Sequence, residues 1–153
     1  VRGLPDLADG LYHYLPREHA LERRCLHVKQ ANATPGLWIG LTSIHWREAW
    51  KYGERAFRYC LLDTGHALGA LGYAAAALGW RTDIVASLTA SRLATLLGTD
   101  RQPDFEDAEP EEPEALIAIT AADTEHHSGA RRVSRPGDYP HSWVRPMTGD
   151  LSC

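Results

Sequence analysis

Between Leu61 and Trp80 the chain reads LLDTGHALGALGYAAAALGW, a stretch in which Asp63 is the one formal charge. Alanine and leucine favour a helix, and the pattern predicts one from about Arg55 to Leu78, roughly 35 Å long, with Gly79 as its C-terminal cap. Gly65, Gly69 and Gly72 each cost about 1 kcal/mol there relative to alanine. They fall on one flank, a seam where a second subunit packs closely or where strands cross the helix. Because the segment is apolar nearly all round, it is expected at the centre of the fold, covered by protein on most sides. A membrane span is excluded: the uncharged run after His66 is shorter than the roughly 20 residues a bilayer requires.

Strands are expected around this helix. GLYHYLP (Gly10–Pro16) alternates apolar and polar positions, REHALE reads as a turn, and RRCLHVK (Arg23–Lys29) as the returning strand of a hairpin. ANATPG (Ala31–Gly36) is loop chemistry, and LWIGLTSI (Leu37–Ile44) has the apolar continuity of a buried inner strand. A second helix is predicted from Thr89 to Leu97, ending at Gly98. Thr99–Glu114, acidic and broken by prolines, reads as a solvated loop, and ALIAITAA (Ala115–Ala122) as a late core strand. The expected class is therefore α+β, one domain over residues 1–122, followed by a polar tail, partner-wrapping arm or linker over 123–153.

Composition narrows the function. A formal charge of −4 on 153 residues lacks the basic footprint of a nucleic-acid binder. Cys25, Cys60 and Cys153 are odd in number and without CxxC spacing, which predicts neither a disulfide framework nor a zinc site and points to a reduced, cytoplasmic setting. Asp63 and His66, three apart on the long helix, share a face and read as a satisfied internal polar pair rather than metal ligands. Glu125, His126 and His127 read as part of the flexible tail.

The densest chemistry lies just upstream of the apolar segment. REAWKYGERAFRYC (Arg47–Cys60) carries six charged and four aromatic side chains. Lys51 and Tyr52 are followed by Gly53, which lets the backbone turn so that two neighbours on an extended strand serve one ligand. Partial burial, a helix N-terminus, and the cations Arg55 and Arg58 would lower the lysine pKa toward that of a usable base. Spacing alone favours a surface lysine beside a packed tyrosine.

GLYHYLPREHALERR, WREAWKYGERAFRY and DTGHALGALGYAAAALGW together resemble the SagB-type dehydrogenase branch of the FMN-dependent nitroreductase superfamily, over most of Gly10–Ala122. The resemblance implies a nitroreductase-like fold, an antiparallel-rich sheet on a long buried central helix, that binds FMN at a dimer interface. It implies oxidation of azolines in peptide substrates, with the family's Lys-Tyr pair matching Lys51 and Tyr52 and assisting proton abstraction as hydride passes to flavin. Gly53, Arg55 and Arg58 become candidate cofactor contacts, although the arginines could instead pair with Glu48 and Glu54. Trp46 and Trp50 stack on flavin or substrate, or pack in the core, the commoner use of tryptophan. The family's N-terminal helices, with their arginine-rich phosphate anchor, have no counterpart before Gly10. That pattern, with Val1 in place of an initiator methionine, resembles the later part of a first half in tandem members. Two functions follow as expectations: an FMN-dependent oxidoreductase acting as a homodimer or with a second half, or a flavin-free structural or substrate-binding half-domain.

Overall fold

A computed structural model describes residues 1–26, 35–106, 108–121 and 144–145 of the chain. The tail, its Glu-His-His cluster, the end of the second expected strand and most of the ANATPG loop lie outside the described residues, apart from Val144 and Arg145. The fold is α+β and divides into two compact units, residues 1–37 with 124–153, and residues 38–123.

The first unit holds the expected hairpin. Strands β1 (Gly10–Leu15) and β2 (Ala20–Leu26) pair antiparallel, with Leu15 opposite Ala20. The returning strand starts three residues before the expected Arg23, because the turn closes over residues 16–19 alone. His19 takes a positive φ of 50° there, and its Nδ1 shares a 2.6 Å hydrogen bond with the Tyr14 hydroxyl. That side-chain bond steadies a backbone conformation usually left to glycine or asparagine. Ala20 and Cys25 are buried. Cys25 is held in a disulfide, which the expectation of no disulfide framework and a reduced setting did not include. An odd count leaves room for one pair, so cysteine usage no longer argues for a reduced compartment.

The second unit is built on a three-stranded sheet in the order β3-β5-β4. Its elements run β3 (Leu37–Ser43), α1 (His45–Tyr52), a 3-10 turn (Gly53–Arg55), α2 (Ala56–Ala77), β4 (Trp80–Ile84), α3 (Ala90–Leu97) and β5 (Glu112–Ala121). β4 and β5 pair antiparallel, from Trp80 opposite Ala121 to Ile84 opposite Ile117. A short β6 (Val144–Arg145) belongs to the first unit, where it pairs parallel to β2.

Local chemistry explains most boundaries. Thr89 caps α3, its hydroxyl accepting from the Arg92 amide at 3.3 Å, and Gly98 ends it in the left-handed region at φ 77°, as capping rules require. α2 ends one residue short of the expected Leu78, with Gly79 at φ 72°. Gly40 has a packing role: a Cβ placed on it would lie 2.3 Å from Leu97 Cδ2, so its bare backbone is what lets the end of α3 settle against β3.

Three expectations are corrected. β3 is not an inner strand but an edge of its sheet, its residues alternating between half-buried and exposed; the apolar run hid an inward row of Leu37, Ile39 and Leu41. The acidic connection is not wholly a solvated loop, since β5 begins at Glu112 and takes up its last carboxylates. Most consequentially, α2 is not buried. Of its 22 residues only Ala56, Cys60 and Ala75 are buried, while Phe57, Leu61 and Leu62 are exposed and Tyr73 is 83% accessible. The helix packs on α1, β4 and β5, and two short helices with three strands are too few to enclose it. The buried side chains of this unit are accordingly small apart from Leu93, Leu116 and Ile117. No helix among the described residues is long and apolar enough to cross a membrane.

Candidate functional site

Lys51 and Tyr52 form the last turn of α1 rather than the end of a strand. The tryptophans and alanine of HWREAWKY recur at helical spacing, Trp46, Ala49 and Trp50, and Glu48 and Lys51 sit at the ends that the helix dipole favours for their charges. Gly53 then stops the helix at φ 58°, ψ −137°, its amide donating to the Ala49 carbonyl. The anticipated turn is therefore present at Gly53, reached from a helix. An ideal Cβ on Gly53 meets no atom within 4 Å, so the requirement for glycine there is backbone strain alone. Gly53→Ala is expected to cost about 1–3 kcal/mol in urea unfolding, without any steric clash to relieve.

The lysine amine lies over the Tyr52 ring, with Nζ 5.0 Å from the ring centroid, and Tyr52 meets Tyr59 of α2 edge-on at 4.9 Å. The pair is thus brought together, but its electrostatics oppose the expectation. A hydrogen bond and charge interaction with Tyr52 hold the amine above the ordinary lysine range, outweighing slight desolvation, with Glu48 adding to the effect. Two physical reasons account for the correction. The amine is fully exposed rather than sheltered, and it sits at a helix C-terminus, which stabilises a cation, not at an N-terminus. In this chain alone Lys51 is an ammonium, not a base.

Around it the surface is aromatic and cationic. Trp46 is exposed and Trp50 is 81% accessible, so neither packs in the core. Arg55 and Arg58 are exposed, and among the described residues neither forms an ion pair with Glu48, Glu54 or another carboxylate. Asp63 and His66 approach to 3.7 Å on α2 but are both highly exposed, which replaces the expected internal pair with a loose surface contact of little energetic weight. Gly65 and Gly69 face open space, and Gly72 alone of the three approaches a strand, 3.8 Å from Thr82 Oγ1 of β4. No group of three His, Cys, Asp or Glu among the described residues is placed to hold a metal ion.

Cys60, one turn into α2, is a free, buried thiol. Burial pushes its pKa up, and the carboxylates of Glu48, Glu114 and Asp63 add to the shift against an opposing hydrogen bond with Ser43. A raised pKa leaves less thiolate at any given pH. Native Cys60 is therefore expected to label more slowly with a thiol reagent at pH 8 than the unfolded chain does, and to accelerate only as pH climbs past the ordinary thiol range. Mass spectrometry of the Cys60 peptide reads this directly.

The residues that sequence reasoning missed are three carboxylates. Glu111 accepts from the Thr42 hydroxyl at 2.7 Å, Glu114 lies 2.9 Å from His45 Nε2, and Glu109 accepts from Arg47 Nε at 3.0 Å and from Nη2. These partners stand 62 to 69 residues apart in the chain, so no local spacing could have disclosed them. Comparison with known protein families, with curated proteins and with solved structures returns no match for this chain.

Proposed function

We propose that the α1–α2 surface is one wall of a composite FMN site in a SagB-type, nitroreductase-like oxidoreductase, completed by a second copy of the chain or by a second nitroreductase-like half. The observation that carries this reading is the exposure of α2: a 22-residue helix, apolar nearly all round, with three buried residues is a surface built to be covered. The donor chemistry fits a flavin mononucleotide. Arg55 and Arg58, exposed and without carboxylate partners among the described residues, suit its phosphate, and the open Gly53 leaves room for close approach. Tyr52 and Trp50 offer rings against which a planar group can pack. When bound, FMN would supply the hydride-accepting chemistry.

Lys51 would take the ring proton of an azoline-type substrate at Nζ. For that its amine must lose charge, and covering the α1 terminus with protein does so by desolvation, the one influence that already acts downward on it. Tyr52 then orients the amine. The second reading, a flavin-free half-domain that supports a catalytic partner, is favoured by the same lysine, since its exposure and raised pKa describe no base in the isolated chain.

Sedimentation velocity of the purified chain titrated with FMN, read at the flavin absorbance near roughly 450 nm, separates the two. Flavin sedimenting with a dimer, or with the chain paired to a second half, is the expected result. Assembly that stays colourless in excess FMN would overturn the flavin reading and leave the structural one.

A further inference from the structure

The eight-residue helix α1 should not be stable on its own terms. Helices this short are marginal in water without tertiary support, and α1 has no buried residue and no side-chain cap, its N-cap position being Ile44. What holds it are polar bonds at its start and ring contacts along its length. His45 and Arg47, in its first turn, are tied to Glu114 and Glu109, and Thr42 on the strand before it is tied to Glu111. The His45 ring meets Phe57 edge-on at 5.7 Å, and Tyr52 meets Tyr59. Glu114 and Glu109 are bonded to side chains of the first turn, the end of a helix at which the dipole favours negative charge.

We infer that Glu109 and Glu114 are positioning residues, a latch from the acidic segment that keeps α1 helical and so sets the place of Lys51 and Tyr52. Their importance for catalysis rests on the reading above; the latch itself does not. Glu114 is nearly buried, with its side chain 11% exposed, and His45 is 30% exposed, so this link is shielded from solvent. The Arg47–Glu109 pair is more open and weakens with salt. The acidic, proline-broken sequence thereby gains a structural role, since prolines 110 and 113 restrict the segment that presents the three carboxylates.

Hydrogen exchange of the whole chain tests the latch without any activity measurement. In the double variant Glu109→Gln/Glu114→Gln, amides of residues 48–52 should exchange about five- to tenfold faster, while those in the middle of α2 and β5 keep their protection. Raising the salt concentration should loosen α1 in the parent chain in the same direction. The exchanged pair Arg47→Glu/Glu109→Arg should recover most of the protection that Glu109→Arg alone loses, which a general loss of stability would not produce. Unchanged exchange in α1 of the double variant would overturn the latch. Should exchange respond while the assembled protein binds no flavin, the latch would stand and the catalytic reading would fall.

Discussion

Lys51→Ala is expected to lower the turnover of the flavin-loaded assembly by about 10²–10⁴-fold, the usual contribution of a positioned general base, while leaving flavin content unchanged. The split between the two readouts matters, because Lys51 lies outside the arginine pair proposed for the phosphate. The amine is held protonated in the isolated chain by Tyr52 and open solvent, so the proposed base at position 51 requires a partner to cover it. Nitrogen-detected magnetic resonance of the lysine amines should therefore find Lys51 titrating above ordinary lysine in the isolated chain and below it in the assembly. The pH dependence follows in sign: turnover rises with pH as the amine loses its proton, and that rising limb disappears in the alanine variant. Lys51→Arg should not rescue it, since a guanidinium keeps its proton throughout the working range. Full activity in Lys51→Ala would remove the base assignment.

Ile117→Ala is expected to destabilise the chain by about 2–5 kcal/mol, a large share of the roughly 5–15 kcal/mol typical of a small domain. Ile117 is 1% accessible and lies on the central strand β5, opposite Ile84 of β4. Its buried neighbours in sequence are Ala115 and Leu116, and the other buried positions of the unit are Ala56, Cys60, Ala75 and Leu93, of which only the leucine has the volume to relax into the cavity. The urea midpoint should fall with little change in slope. Trp50→Ala, which removes a far larger but exposed ring, should stay within about 0.5 kcal/mol of the parent. A comparable loss at both positions would mean that α1 packs more deeply than its exposure indicates.

What the sequence disclosed and what it withheld divide by the range of the interaction. Gly98 after α3 and Gly79 after α2 are read within a turn of where they act, so α2 and α3 were legible to within a residue or two. The β1–β2 hairpin was legible for the same reason. β4 was not: Arg81 and Asp83 break its apolar run, and only the spacing of Trp80 and Thr82 betrays the inward row. α1 was missed because its tryptophans face outward, so its helical period marks no core. The carboxylate contacts to Thr42, His45 and Arg47 were invisible, being made across the fold. At the site, the adjacency of Lys51 and Tyr52 and the turn at Gly53 were legible, whereas the environment of the amine depends on which end of a helix carries it and on what covers it. Neither is written in the local sequence.

The contact between Gly40 and Leu97 ties two distant positions into one unit of variation. Any side chain introduced at 40 obliges the leucine to swing aside or be shortened, so a change at 40 should be accompanied by one at 97, whereas a shorter residue at 97 alone would leave only a gap beside the bare glycine.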